Sequence, residues 1–439
     1  MKYQTFDHKS YKIHTIKTDR FKTSRIEVFF RQEVIKEKLP TLSFLAGLLS
    51  YSSKKYSTNR LLAIEKENLY KCFYNAYFTK VGNVSSMIFS LDFINPDFIN
   101  EKDYLNNLIK FLFEMILKPN VKNNEFDLTS FENIKNDLLL DIESINESPS
   151  KLAINNALNV LDKDSISSYS VLGTKEDIEK ITRESVYNEY LNLINNSIID
   201  IFIIGNLDMN KTISLIKDNF HINRINSFNF NYYIDNITRK KAIIKSDESS
   251  FNQSQLTILY NLINLTDEEK NITFIVFNYI LGSGGLSSKL YSYLREKNGL
   301  CYRVSSMFFK ADNLLCISLS LKKENISKAI KLCNKALDEM KKGVFSEEDI
   351  TDAKNNLLLS LNMSKNNQMG ILNNFESKLF TNSLSIDEKI DKLEKITKKD
   401  IITVANKIKI NTIYSLCEES NEKNTDWKNK WNSLWARTS

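Results

Sequence analysis

Residues 296–300 read EKNGL and residues 65–69 read EKENL, two near-identical stretches 231 positions apart. The echo continues downstream. KNDLLL from Lys135 returns as KNNLLL from Lys354, 219 positions on, and IEKIT from Ile178 returns as LEKIT from Leu393, 215 positions on. Order is kept while the offset shrinks, which is the signature of two homologous halves with the insertions in the first. Around these anchors each half has the same grammar. Alternating strand-like segments come first (RIEVFF from Arg25, QLTILY from Gln255), followed by a helix and the EK segment. A further strand pair follows: CFYNAYF and SSMIFSLDF in the first half, CYRVSSMFF and LLCISLSL in the second. Helical periodicity then takes over, as in residues 326–342 and 346–363. Strands followed by helices predict an α+β fold, with two homologous α/β-sandwich halves of antiparallel-rich sheet and packed helices. The first half is expected to add a late strand, IIDIFIIGN from Ile198. The polar and aromatic stretch 223–245 reads as the linker, giving halves 1–222 and 246–439.

Composition narrows the class. The 439 residues are 42% hydrophobic and 26% charged, enough for a sizeable core, and 10 glycines with 4 prolines are too few for a collagenous or turn-dense chain. The 60 basic and 54 acidic residues are interspersed, and their +6 balance draws no electrostatic footprint for nucleic acid. The opening residues contain no apolar core of a signal peptide, and no uncharged apolar run reaches 18 residues, so no membrane span is expected and the reading is a cytoplasmic protein. Cys72, Cys301, Cys316, Cys333 and Cys417 are odd in number, widely spaced and set in apolar patterns, as buried thiols of a reducing compartment would be.

Three blocks in register carry a family resemblance: LGTKEDIEKITRESVYNEY from Leu172, IIGNLD from Ile203, and LGSGGLSSKLYSYLREKNGLCYRV from Leu281. With them the chain resembles the pitrilysin/insulinase family of zinc peptidases over nearly its whole length, especially the members similar to mitochondrial processing peptidase. Active members carry HxxEH, two histidines on one helical face holding zinc and a glutamate that activates the bound water. The matching helix here reads SFLAG, which places Ser43 and Gly47 at the histidine positions and Ala46 at the base. The third ligand, a glutamate on a later helix, would fall near Asp141, which reads first as an ordinary solvated helix-face acid and as a ligand position only as a relic. None of these groups replaces a neutral imidazole, so the resemblance implies a catalytically silent chain with no metal of its own. The remaining histidines, His8, His14 and His221, form no i, i+4 pair; His8 and His14 lie six apart in a strand-like segment that could place both on one face.

The second half keeps what the first has lost. At the position where the family reaches into the cleft with an arginine and a tyrosine, this sequence has Arg295 and Tyr302. An arginine fork can hold a peptide carbonyl or carboxylate, and a tyrosine hydroxyl can donate to a developing oxyanion. The plainer alternative is an arginine paired with a nearby acid and a half-buried strand tyrosine. Just upstream, Gly282, Gly284 and Gly285 form either a peptide-contacting loop or a tight link between helices capped by Ser287 or Ser288.

Two functions of different class follow. By resemblance, the chain is a non-catalytic subunit of a heterodimeric zinc peptidase, lending Arg295 and Tyr302 to a partner homologue that carries HxxEH and the zinc, with a peptide as substrate. The alternative is a peptide-binding or scaffolding protein without a peptidase partner.

Overall fold

The computed structural model describes residues 2–222 and 228–419. Its strands in chain order are β1 (Lys2–His8), β2 (Tyr11–Lys17), β3 (Thr23–Glu33), β4 (Phe73–Val81), β5 (Val84–Ile94), β6 (Val121–Lys122), β7 (Glu125–Phe126), β8 (Ile198–Gly205), β9 (Ile243–Ser249), β10 (Ser254–Leu262), β11 (Cys301–Phe309), β12 (Leu314–Leu321) and β13 (Ile408–Glu418). One sheet has the order β1-β2-β8-β3-β5-β4 and the other β11-β12-β10-β13-β9, with β6 and β7 forming a small separate hairpin. Within the large sheets β2 runs parallel to β8 and β9 parallel to β13, whereas the remaining pairings are antiparallel. Read from the parallel pair outward, β2-β8-β3-β5-β4 and β9-β13-β10-β12-β11 are the same topology. The strand β8 is therefore not an addition of the first half, because β13 answers it. The alternation in KIKINTIYSLCE is broken by two neighbouring polar residues, Asn411 and Thr412, both fully buried, which masks it as a strand.

The repeated EK segments fall at equivalent places. EKENL ends the helix Asn59–Asn68 ahead of edge strand β4, and EKNGL ends a helical turn, Ser292–Glu296, ahead of edge strand β11. Both turns use left-handed backbone, at Tyr70 and Lys71 in one and Gly299 in the other.

By contact, the chain divides into two units, and neither is contiguous. The first comprises the chain up to Ser144, Tyr169–Ile234 and Ser364–Thr381; the second comprises Ile145–Ser168, Asp235–Met363 and the chain from Asn382. Each thus includes one segment from beyond the linker, which contiguous halves at 1–222 and 246–439 would not contain. In the expected linker, residues 223–227 lie outside the described residues. Of the rest, Tyr232 and Tyr233 accept bonds from Asn83 in the first unit, while Asn236 donates to Ser167 and Asp312 in the second.

In the first unit, the period-2 alternation of β3 sends Ile26, Val28 and Phe30 to one face of the sheet and Arg25, Glu27, Phe29 and Arg31 to the other. The first face builds the main core with the helices Leu39–Tyr51, Tyr104–Leu117 and Arg183–Asn196. The second face is covered by the inserted segment, whose Ile371, Leu372 and Leu379 pack with Ile16, Phe29, Ile88, Phe202 and Ile204. In the second unit the helix Pro149–Leu161 plays the matching part, its Ala153, Ala157 and Leu161 packing with Leu259, Leu314, Cys316, Tyr414 and Leu416.

Candidate functional site

The helix Leu39–Tyr51, LPTLSFLAGLLSY, carries no charged residue and is buried nearly all round, with Pro40 in its first turn. Ser43 Oγ donates to the Val171 carbonyl at 2.6 Å, so its hydroxyl is committed to the block that begins at Leu172. Ala46 is buried. A Cβ on Gly47 would come within 2.6 Å of Ile134 Cγ2, because the helix Leu128–Asn146 presses Ile134 into the space a side chain would need. One turn away Phe44 stacks on Phe131, ring centroids 4.6 Å apart. Asp141 is exposed and lies two turns beyond Ile134, about 10 Å farther along the axis at ~1.5 Å per residue. The structure therefore holds Ser43, Ala46 and Gly47 together on one helix and sets Ile134, not Asp141, against Gly47. These residues do not fit zinc: the only oxygen among the three motif side chains is already hydrogen-bonded, and the neighbouring volume is hydrocarbon. Among the described residues no group of three or more His, Cys, Asp or Glu could hold a metal ion.

The two N-terminal histidines do not share a face of one strand. His8 ends β1 and stacks on Tyr11, while His14 sits in β2. His14 belongs to a buried network that sequence reasoning missed. Its Nε2 lies 3.0 Å from Asp200 Oδ1 and its Nδ1 2.8 Å from the Tyr3 hydroxyl. Arg31 donates Nη2 to Asp200 Oδ2 at 2.6 Å and Nη1 to the Leu379 carbonyl at 3.0 Å. Burial pushes the Asp200 carboxyl up, but the His14 bond and the Arg31 charge outweigh it and hold it below the usual carboxylate range. The available signal was a single acid in the otherwise apolar IIDIFIIG. The network is a fastening between sheet and inserted segment, with each carboxylate oxygen of Asp200 engaged.

In the second unit the helical stretch from Glu269 to Lys297 contains three π-type turns, at Glu269–Thr273, Tyr279–Ser283 and Ser292–Glu296, where the wide i, i+5 bond shifts the direction of the side chains that follow. Gly282 is a packing glycine, since a Cβ there would meet Ser306 Oγ at 2.6 Å and Leu290 Cδ1 at 2.7 Å. A Cβ on Gly284 would meet the Tyr279 carbonyl oxygen at 2.7 Å, while Gly285 has φ +64° and open space beside it. Ser288 then caps the next turn by accepting from the Tyr291 amide. The loop's own bonds make a link between helical turns with Ser288 as cap.

Arg295 and Tyr302 stand on either side of the following turn, which is closed by Gly299 N–H to the Arg295 carbonyl at 2.9 Å and Leu300 N–H to the Leu294 carbonyl at 2.8 Å. The Arg295 guanidinium is exposed and lies over the Tyr291 ring, 5.2 Å from its centroid. Burial pushes the Cys301 thiol up to about 11, against the opposing positive charge of Arg295. There the pairing of β11 with β12 slips by one residue between Cys301 and Arg303. Tyr302 is the extra residue of this bulge on an edge strand and is 63% exposed, where an in-register tyrosine would pack along the pleat. Neither residue takes the plainer alternative: no acid within ion-pair distance of Arg295 is found among the described residues, and Tyr302 is not half-buried.

The remaining expectations concern the whole chain. All five cysteines are free and buried. Among the described residues no helix is long and apolar enough to cross a membrane.

Comparison with known proteins agrees with this geometry. Residues 180–357 match the family described as "Peptidase M16 inactive domain". The chain is 24% identical over 410 residues to "Probable inactive metalloprotease YmfF" of Bacillus subtilis (strain 168), covering 92% of this chain and 95% of that protein. A conserved protein from Enterococcus faecalis V583 superposes with a TM-score of 0.90 at 22% identity, covering 96% of this chain and all of the other. A peptidase M16 inactive domain from Pseudomonas fluorescens superposes with a TM-score of 0.74 at 18% identity, covering 96% of this chain and 99% of the other. With the helix Leu39–Tyr51 filled by apolar packing, the family match over residues 180–357 and the whole-length likeness to a probable inactive metalloprotease make the chain similar to inactive members of the M16 (pitrilysin) peptidase family.

Proposed function

We propose that this chain is the non-catalytic subunit of a heterodimeric zinc metallopeptidase that processes peptides, and that Arg295 and Tyr302 complete the active site of a partner carrying HxxEH. The observation that carries the reading is the asymmetry between two places of family importance. At Ser43, Ala46 and Gly47 polar function is replaced by a committed hydroxyl and hydrocarbon. At Arg295 and Tyr302 a charged fork and a phenol stand exposed around one tight turn. Exposure of both, one on an aromatic support and the other on a bulge, is costly to explain as packing and suits a ligand brought from outside. In this role Arg295 holds the peptide, and the Tyr302 hydroxyl donates to the carbonyl oxygen as charge develops on it in the partner's site. The open backbone at Gly285 is a further place for a peptide to lie.

The test is co-purification with a catalytic homologue and peptide cleavage by each chain alone and by the mixture. Tyr302→Phe should leave assembly and the partner's zinc content intact and lower kcat of the mixture by ~10²- to 10³-fold. Arg295→Ala should also raise KM. Full activity of both variants in an assembled complex would replace this reading with the scaffold, a peptide-binding protein without a peptidase partner.

A further inference from the structure

Glu27 of β3 and Glu376, the last residue of the helix Gln368–Glu376, meet where the inserted segment lies on the sheet of the first unit. Both are buried, with 1% and 7% of their surface exposed. Each has one carboxyl oxygen, Glu27 Oε2 and Glu376 Oε1, that is sealed from solvent and receives no hydrogen bond from any neutral or cationic donor. Two ionised carboxylates cannot satisfy each other, since both are acceptors only. A single proton between them satisfies both.

We propose that Glu27 and Glu376 share one proton across this seam, and that its loss at alkaline pH loosens the 364–381 segment from the sheet, so that the pair acts as a pH-sensitive latch. The surrounding charges assign the proton. From β3, Arg25 donates Nε to Glu27 Oε1 at 2.5 Å and also pairs with Asp92 of β5. From β4, Tyr77 is the remaining titratable neighbour, and Lys378 on the segment itself is exposed, over the Phe375 ring. Glu27 thus has a hydrogen-bonded counter-charge, and among the described residues Glu376 has no cation hydrogen-bonded to it. Arg25 already faces two carboxylates, and ionising Glu376 would add a third, while Arg31 on the same face is committed to Asp200 and the Leu379 carbonyl. Burial, then the Glu27 charge and its hydrogen bond, raise the Glu376 carboxyl well above its ordinary range, with Arg25 opposing. The sign follows: a group whose folded pKa is raised contributes its full stabilisation below the unfolded value of 4.5 and loses it as pH rises through the folded value.

Hydrogen exchange of the full chain, corrected for intrinsic rates, reads the latch directly. Between pH 6 and pH 9 the protection of residues 368–381 should fall at least about tenfold, while that of the helix Pro149–Leu161 stays constant. Glu376→Gln, which can donate to Glu27 but cannot ionise, should keep the pH 6 protection and abolish the fall. Infrared spectroscopy at pH 7 should show a protonated carboxyl in the native chain that this variant lacks. A flat native profile, no protonated carboxyl at pH 7, or the same fall in Glu376→Gln would each overturn the proposal. The first two decide it even if the variant does not fold.

Discussion

The helix Gln368–Glu376 covers a sheet face that carries Arg25, Glu27, Arg31, His14 and Asp200 among its apolar residues, whereas the helix Pro149–Leu161 covers one lined by Leu259, Leu314, Cys316 and Leu416. The two positions are topologically equivalent and chemically opposed. On the second sheet, Ala153 and Ala157, one turn apart, present a smooth surface that lets the helix approach closely, and specificity comes from hydrogen bonds to uncharged acceptors: Asn156 to the Tyr414 hydroxyl and Arg239 to the Leu161 carbonyl. On the first sheet, buried ions fasten the segment at several points along its length, and Arg20 adds bonds to the Lys365 carbonyl and Asn366. The difference teaches that one architecture tolerates either an apolar seam, indifferent to pH, or a charged seam whose strength follows protonation.

Breaking the charged seam should have the largest effect. Arg31→Ala leaves the Asp200 carboxylate buried beside His14 and should cost ~3–5 kcal/mol in denaturant unfolding of the first unit, the usual penalty for orphaning one member of a buried pair. A loss below about 1 kcal/mol would mean that the network fastens nothing. Acid should weaken the same seam from the other side. Asp200 is held below its unfolded value of 3.8, so its stabilisation is present above that value and is lost as pH falls through the folded one. Unfolding midpoints across that acid range should drop more steeply for the native chain than for Asp200→Asn.

The apolar seam should respond to volume instead. Ala157→Leu inserts atoms where Ala157 is fully buried against the second sheet and should cost ~1–3 kcal/mol, with no dependence on pH between 4 and 9. Smaller still is Tyr414→Phe, which removes a hydroxyl that accepts from Asn156 and donates to Asp247, both at 2.9 Å. Its expected cost is ~1 kcal/mol, since Asp247 regains water. If Tyr414→Phe proves as damaging as Arg31→Ala, the neutral seam is held by its polar bonds and the contrast collapses.

The repeat was legible because homologous halves keep short anchors in order, and EKENL and EKNGL do precede corresponding edge strands. The absence of an HxxEH motif was legible for a similar reason: chemistry that needs two imidazoles at fixed spacing requires a histidine pair at i, i+4, and the sequence has none. Strand β13 was not, because buried Asn411 and Thr412 break the apolar pattern: the Asn411 amide donates to the Asn261 side chain and the Ile237 carbonyl, which only folding brings near, and its oxygen accepts from the Thr412 hydroxyl.

The amino-acid sequence by itself determined the fold class, the internal duplication and the absence of a catalytic motif, since each is written in periodicity or in residue type at local spacing. Tertiary structure alone decided which segment completes which sheet. Glu27 and Glu376 are 349 positions apart and look like ordinary acids, and nothing local to either one marks it as buried. Their chemistry arises from desolvation and from each other's charge, and both depend on contacts between residues distant in the chain.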